Sequence, residues 1–270
     1  MVGFRSTVGS FISTQLEKSG WAVIGTSRRS PISEPAETFP VVRCDLGSPI
    51  AILEASIAIT EVIDSWDLLL FCSGTMKPIG PLVSQSSDEW LECLQINALG
   101  PLELLRRLWP VRNGSTISNV GFFGGGGTNG PFTNYSAYCL SKLMLIKACE
   151  LLDDEEPSGN FFVIGPGYFR SPIHDETVAA GVDAGLNLER TLSLLTGDGT
   201  DLAEIYRSLL WCLDHGRDVV GGRNLSTVHD DWSRSPDSLH AALRSDPQAF
   251  KLRRRGLVQS QPPLTEELTT

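Results

Sequence analysis

Short apolar runs alternate with longer segments of helical spacing along most of this chain. The apolar runs are rich in Val, Ile and Phe and have the length of buried β-strands. They cover residues 21–26, 41–44, 67–73, 115–120, 160–164 and 218–225. Helical spacing covers residues 10–19, 48–64, 87–109, 135–153 and 199–215. This alternation predicts an α/β fold with a doubly wound parallel sheet, Rossmann-like and with right-handed connections.

No internal repeat or linker divides the chain, so residues 1–256 are expected to form one domain. Residues 171–198 fall outside the alternation, and we expect them to form a small helical lid over the strand ends. Residues 257–270 lack periodicity and are predicted to be a mobile tail. Only Met1 and Val2 precede the first glycine. The first strand is therefore either very short or begins upstream of this chain.

Composition and charge narrow the possible partners. The 270 residues carry a formal net charge of −10, which argues against nucleic acid and against anionic membranes, because the field repels phosphate. A small-molecule substrate remains compatible with this negative charge.

The six cysteines are scattered and the four histidines are dispersed, which predicts a reducing compartment, no disulfide framework and no metal site. With no apparent secretory signal and no long apolar run, a cytoplasmic location is the default expectation.

The first candidate motif is a glycine turn before the first helix. Gly3 and Gly9 would allow close approach of the backbone, so that the segment Ser6, Thr7 and Val8 presents amide groups to a pyrophosphate at the helix N-terminus. The spacing is wider than Gly-x-Gly-x-x-Gly, and Thr7 stands where a further glycine is expected. The same two glycines also fit a plain turn.

The second motif follows the next strand. A carboxylate at this point would bind the ribose of NAD and repel a 2′-phosphate. Ser27 is uncharged, and the guanidinium of Arg28 suits phosphate. This combination predicts NADP(H) in preference to NAD(H). The alternative is that Arg28 and Arg29 are solvated surface residues.

The third motif is Tyr138 with Lys142 in a helical segment. Side chains four residues apart share a helix face, so the phenol and the ammonium would project into one cleft. A nearby cation would lower the pKa of the tyrosine toward the working range of a general acid or base. By itself this spacing also arises by chance in many helices.

Taken in order, these motifs resemble those of the short-chain dehydrogenase/reductase family from Gly3 to about Leu225. The resemblance implies a cofactor turn, an adenine contact, a retained glycine after the third strand, a water-anchoring asparagine, a catalytic pair and a segment flanking the nicotinamide. The matching residues are Gly3, Gly9, Asp45 followed by Leu46, Gly74, Asn97, Tyr138, Lys142, Pro166 and Gly167. Two further cofactor-binding positions depart from the family: Ser73 stands in the segment where the family has Asn-Asn-Ala-Gly, and Ser171 stands where it often has a threonine. The resemblance also implies a homodimer or homotetramer.

The family's catalytic serine has no unambiguous counterpart. The corresponding strand was predicted to end near residue 120, which places either Ser118 or Asn119 in that role. Ser118 is favoured because a hydroxyl donates to a substrate oxygen, and Asn119 takes over if Ser118 points into the core. A glycine-rich stretch over residues 121–131 follows, as either a flexible loop or a loop that shapes the substrate site.

The resemblance implies reversible hydride transfer between NADPH and a carbonyl or secondary alcohol of a polar small molecule, such as a sugar or polyol derivative. One alternative is epimerisation or dehydration of a nucleotide-linked or phosphorylated sugar. Another is a non-catalytic binding protein.

Three further residues have alternative roles. Tyr135 is a rival to Tyr138 but has no lysine four residues later. Arg223 is expected to be structural rather than an anion clamp, and His174 is either a substrate-selecting or a surface residue.

Overall fold

The computed structural model of the protein describes residues 1–29, 38–124, 130, 132–197 and 199–253. Within these ranges the strands are β1 (Gly25–Ser27), β2 (Val41–Arg43), β3 (Leu68–Phe71), β4 (Ser118–Phe123), β5 (Gly159–Gly165) and β6 (Arg223–Ser226). The α-helices are α1 (Thr7–Lys18), α2 (Pro49–Thr60), α3 (Ser87–Leu94), α4 (Gly100–Leu108), α5 (Ser136–Glu155), α6 (His174–Ala180), α7 (Leu186–Thr196), α8 (Leu202–Val220) and α9 (Pro236–Ser245).

All described strand pairs are parallel, and Val2 joins them into one sheet. β2 pairs with β1, while β3, β4, β5 and β6 follow one another in order. Between the two groups, Val2 bridges Thr26 on one side and Phe71 on the other. Val2 N donates to Leu70 O over 2.7 Å, and Val2 O accepts from Cys72 N over 2.8 Å. Within the described residues, Val2 alone thus bridges β1 and β3.

Two apolar layers cover the two faces of the sheet, because strands buried on both faces need helices on each side. One layer packs α2, α4 and α5 against the sheet, with Phe122 and Phe161 fully buried. The other packs α1, α8 and α9 around Phe162 and Leu209. The Rossmann-like doubly wound fold expected from the alternation is confirmed.

Element boundaries differ from the predictions where apolar runs continue across a turn. The strand predicted at 115–120 runs over Ser118–Phe123 instead, and the one predicted at 218–225 begins only at Arg223 because α8 continues to Val220. The helix predicted at 87–109 is divided by a π-helical turn, Gln95–Leu99. α9 was not predicted.

The segment predicted to be a lid is helical. It contains α6, a 3₁₀ turn and α7, and it packs through a small apolar cluster around Met76, Tyr135 and Ala184. The tail predicted at 257–270 lies outside the described residues, as do residues 125–129 and 131 of the glycine-rich stretch. In the part of the chain that is described, no helix is both long and apolar enough to cross a membrane.

Candidate active site

A cleft of about 1370 Å³ lies at the carboxyl ends of the strands, where a doubly wound sheet places its ligand site. Most of the residues predicted for the site line this one cleft. They are Gly3, Ser6, Val8, Ser27, Arg28, Asp45, Leu46, Ser73, Gly74, Tyr138, Lys142, Pro166, Gly167 and Ser171. The same cleft thus contains both the glycine turn and the Tyr138 region.

Tyr138 and Lys142 lie one turn apart on α5, with the Lys142 Nζ 5.8 Å from the centre of the Tyr138 ring. Lys142 is only 4% exposed, and its Nζ donates to the carbonyl of Phe123 at the end of β4 over 3.1 Å. Gly124 makes this position accessible: its φ is +128°, and a Cβ there would lie 2.8 Å from Lys142 Cε. The i, i+4 placement expected from the sequence is therefore present in the fold.

Burial shifts the pKa values of both groups away from their charged forms. It raises the pKa of Tyr138 above the ordinary tyrosine value, and it lowers the pKa of Lys142 from 10.5 to about 8. The expectation that Lys142 lowers the pKa of Tyr138 is therefore not met in this structure. Desolvation of the phenol dominates, and the ammonium is directed to a backbone carbonyl.

Asn97 connects α5, which carries Tyr138 and Lys142, to the loop after β3. It is 1% exposed and lies in the π-helical turn between α3 and α4, a type of distortion that is frequent at functional sites. Its Oδ1 accepts from Thr75 N (2.9 Å), and its Nδ2 donates to Thr75 O (2.8 Å) and to Ser141 Oγ (3.0 Å). Ser141 Oγ in turn donates to Tyr138 O over 2.6 Å. The side chain of Asn97 is thus occupied by the protein, and its water-anchoring role stays a prediction.

The loop after β3 packs against the two polar residues behind it. A Cβ on Gly74 would lie 3.2 Å from Asn97 Oδ1 and 3.5 Å from Lys142 Nζ. Ser73 packs against Gly3, since a Cβ on Gly3 would lie 2.9 Å from Ser73 Cβ. The Oγ of Ser73 is buried without a hydrogen-bond partner among the described residues. Gly74 therefore allows the loop to lie directly over Lys142.

The glycine turn has the donor groups that a pyrophosphate requires. Gly3 adopts φ +75°, and Gly9 lies so close to Gly3 that a Cβ on it would be 2.5 Å from Gly3 O. Ser6 caps α1 by accepting from Gly9 N over 3.1 Å. Among the described residues no acceptor is found for the amides of Thr7 and Val8, which are open positions of a helix N-terminus. These residues fit a dinucleotide phosphate.

The residues predicted to bind the adenosine part of the cofactor lie at the carboxyl ends of β1 and β2. Ser27 is buried at the end of β1, and Arg28 follows it as an exposed residue of the cleft wall. Asp45, after β2, accepts from Gly47 N over 3.0 Å through Oδ1. No carboxylate follows β1 at Ser27, Arg28 or Arg29.

Ser118 and Asn119 do not lie at the site, and the prediction that one of them polarises the substrate is wrong. They begin β4 rather than end it, because the strand continues through Phe123. Ser118 is fully buried, with its Oγ 3.4 Å from Asn113 O, and Asn119 Oδ1 accepts from Asn160 Nδ2 over 2.8 Å. Both therefore lie at the amino end of β4, whereas the cleft lies at the carboxyl ends of the strands.

The segment after β5 shapes the other wall of the cleft. Gly167 has φ +75°, and a Cβ there would lie 2.3 Å from Thr200 Oγ1. Pro166 and Ser171 line the cleft next to it. His174 is 6% exposed, its Nε2 donates to Phe169 O over 3.1 Å, and its ring is stacked on Tyr168. It is thus a buried residue of the cleft wall, not a surface residue.

Two further residues have structural contacts. Arg223 is buried and donates to the carbonyls of Leu243 (2.7 Å), Ala249 (2.9 Å) and Asp246 (3.2 Å) at and beyond the end of α9, as expected for a structural arginine. Tyr135 is fully buried and donates to Thr177 Oγ1 over 2.8 Å.

Sequence reasoning missed three residues of the site: Gly124, Thr75 and Glu176. Glu176 accepts from Thr75 Oγ1 and from Met76 N. The signal for Gly124 was present, since a glycine closes the β4 run, but the end of that strand was placed too early. Among the described residues no group of His, Cys, Asp and Glu is arranged to hold a metal ion.

Comparison with known proteins gives a consistent picture. A family model described as enoyl-(acyl carrier protein) reductase matches residues 3–172. The short chain dehydrogenase pigC of Monascus ruber is 23% identical over 219 residues, which cover 80% of this chain and 67% of the relative.

Solved structures share the fold. The short-chain dehydrogenase/reductase YIR035C of Saccharomyces cerevisiae aligns with a TM-score of 0.74 and 20% identity, over 86% of this chain and 96% of that one. RhlG of Pseudomonas aeruginosa, solved as an active-site complex with NADP, aligns with a TM-score of 0.67 and 19% identity, over 83% and 92% of the two chains.

Proposed function

Because this chain belongs to the short-chain dehydrogenase/reductase family and is an oxidoreductase of that type, we propose that it transfers hydride reversibly between NADPH and a carbonyl or secondary alcohol. The observation that carries the proposal is that one cleft is lined by Tyr138, by Lys142 and by the glycine turn. Nicotinamide cofactors supply the hydride when bound, and the protein supplies orientation and proton transfer.

We assign the proton to Tyr138. Its raised pKa keeps the phenol protonated at neutral pH, so Oη is a donor to a carbonyl oxygen during reduction. Lys142, whose pKa is about 8, is largely an ammonium at neutral pH, and we assign it to the cofactor ribose. The phosphates would lie against the amides of Thr7 and Val8. With Ser118 and Asn119 removed from the site, the part of the chain that is described places no β4 hydroxyl beside Tyr138.

Exchange of Tyr138 for Phe tests the assignment. Reduction of a panel of sugars, polyol-derived ketones and simple ketones is followed as loss of NADPH absorbance. We expect Tyr138→Phe to lower turnover by at least about a hundredfold, since general acid catalysis contributes that much, while NADPH still binds. Ser118→Ala is the matched control and leaves turnover unchanged. Full turnover by Tyr138→Phe contradicts the proposal.

The same assay separates the alternative reactions. An epimerase or dehydratase forms product without net change in NADPH absorbance, and a non-catalytic binding protein turns over nothing. A sugar or polyol derivative is the substrate class that we propose, because polar side chains line the substrate end of the cleft, among them Thr75, Glu176 and Arg190.

We further propose that NADP(H) is preferred over NAD(H). Arg28 at the cleft wall, without a carboxylate at Ser27, supports this preference, since a guanidinium binds a 2′-phosphate and a carboxylate would repel it. RhlG of Pseudomonas aeruginosa, which has a similar fold, was solved in complex with NADP. Arg28→Ala should weaken NADPH by about tenfold in a fluorescence titration and leave NADH nearly unchanged. Equal weakening of both cofactors contradicts the preference.

We also propose that the protein forms a homodimer or homotetramer and that it is located in the cytoplasm. α5 exposes Leu140, Met144 and Leu151, and neighbouring Leu91 and Leu99 are also exposed; such apolar faces are typical of protein interfaces. The six cysteines are all free, which suits a reducing compartment. Light scattering of the purified chain measures the oligomeric state, and a monomer at working concentration contradicts this part.

A further inference from the structure

A carboxylate connects the lid to the catalytic framework. Glu176 lies in the first turn of α6 and lines the cleft. Its carboxylate accepts from Thr75 Oγ1 over 3.0–3.1 Å and from Met76 N over 2.6 Å. The two partners belong to the loop after β3, about a hundred residues earlier in the chain. This contact is therefore a purely tertiary connection between lid and sheet.

The loop that Glu176 holds is the same loop that Asn97 holds from behind. Thr75 is bonded to Asn97 through both its backbone groups, and Asn97 continues through Ser141 to the backbone of Tyr138. An unbroken series of hydrogen bonds thus leads from α6 to the catalytic turn of α5. Such connected networks hold their members in one arrangement.

Both partners of Glu176 are neutral donors, a backbone amide and a hydroxyl. Hydrogen bonds to an ionised acceptor are shorter and stronger than neutral ones, and they fix direction better than an ion pair with a long flexible cation. The apolar contacts of the lid are non-directional by comparison. They involve Met76, Tyr135 and Ala184 together with part of Tyr138. The carboxylate is therefore suited to set the register of α6 over the cleft.

We propose that Glu176 is a positioning residue, which fixes the lid helix α6 against the loop after β3 and so sets the shape of the substrate side of the cleft. The proposal deepens the proposed function and rests on it for its kinetic effect alone. The ordering of α6 by Glu176 does not depend on the reaction.

A simpler role for Glu176 is favourable interaction with the N-terminal dipole of α6, which any acid in the first turn provides. Asp175 separates the two roles. It lies in the same turn, is exposed, and belongs to neither the cleft lining nor the hydrogen-bond series. Asp175→Ala is therefore the matched control for Glu176→Ala.

The decisive measurement is amide hydrogen exchange of the full chain, without and with NADPH. Because about 1.4 kcal/mol is a tenfold change and hydrogen bonds to charged groups are worth more than that, Glu176→Ala should speed exchange in α6 by at least about tenfold. Thr75→Val removes the hydroxyl contact but keeps the hydrogen bond from Met76 N, so its effect should be smaller. It should add little to Glu176→Ala, which already removes both contacts. Glu176→Gln should restore part of the protection, and exchange in α5 should not change.

The proposal is overturned if Glu176→Ala leaves exchange in α6 at the wild-type rate, or if Asp175→Ala speeds it equally. With the carbonyl substrate that the panel reduces fastest, Glu176→Ala should raise KM about tenfold with a smaller change in kcat and no change in NADPH affinity. Loss of kcat at constant KM contradicts a lid role. Normal turnover by Tyr138→Phe together with faster exchange in α6 refutes the proposed function and leaves the role of Glu176 intact.

Discussion

At the scale of single residues, burial rather than charge pairing sets the pKa values of Tyr138 and Lys142. Lys142 has lost most of its contact with water, and its Nζ is held by the carbonyl of Phe123. The lysine pKa of about 8 follows from this burial. The ammonium of Lys142 is therefore expected to lose its proton near pH 8.

This pKa predicts how cofactor affinity depends on pH. Lys142 is an ammonium below pH 8 and neutral above it, so NADPH affinity should fall as pH rises through about 8. In Lys142→Met the affinity is lower and this step disappears. A fluorescence titration of NADPH between pH 6.5 and roughly 9.5 measures both proteins. An identical pH dependence in the two proteins contradicts the assignment of Lys142 to the cofactor.

Ser118 shows how far a single residue depends on its strand. The hydroxyl has suitable chemistry, yet Ser118 begins β4 and is fully buried at the amino end of this strand. Residue type and approximate distance from Tyr138 were known from the sequence. The position of the strand end was not, because Phe122 and Phe123 extend the apolar run past the predicted boundary at residue 120.

At the scale of elements, the junction of β4 with the following loop sets the position of Lys142. Gly124 has φ +128°, which L side chains rarely adopt, and a Cβ would lie 2.8 Å from Lys142 Cε. The end of this strand therefore acts on the lysine through both its carbonyl and its missing side chain.

Gly124→Ala should displace Lys142 and weaken NADPH binding by at least about tenfold, because a strained φ and a steric clash each cost on the order of 1 kcal/mol or more. Gly114→Ala is the control, since among the described residues a Cβ at Gly114 meets nothing within 4 Å, and Gly114 lies outside the cleft lining. Titration of NADPH against the two variants measures the difference. Equal affinity of both variants would show that Gly124 does not position the lysine.

At the scale of the whole molecule, the last described residues are fastened to the catalytic helix. Glu150 of α5 is 5% exposed, and its carboxylate accepts from Leu252 N (2.6 Å), from Lys147 Nζ (2.7 Å) and from Arg253. Burial opposes ionisation here, yet these hydrogen bonds hold the pKa of Glu150 below its ordinary value of 4.5. The ionised carboxylate therefore stabilises the folded chain.

Glu150→Gln should lower the free energy of unfolding by about 2 kcal/mol at neutral pH. Since a depressed pKa contributes stability above its unfolded value and loses it as pH falls through the folded value, the difference from wild type should shrink below pH 4.5. Urea unfolding over a pH series measures this, with the exposed Glu155→Gln as control. A difference that does not change with pH would mean that the charge of Glu150 is not involved.

The sequence by itself determined the class of fold and the firmest pair of the site. Alternating apolar runs require a sheet buried on both faces, and a spacing of four residues places Tyr138 and Lys142 together on any α-helix. The tertiary structure alone decided that Ser118 lies far from the cleft, that Gly124 makes room for Lys142, and that Glu176 meets Thr75. Periodicity reports which side of an element is buried. Strand ends, the φ of a turn and contacts between distant segments depend on how the elements pack.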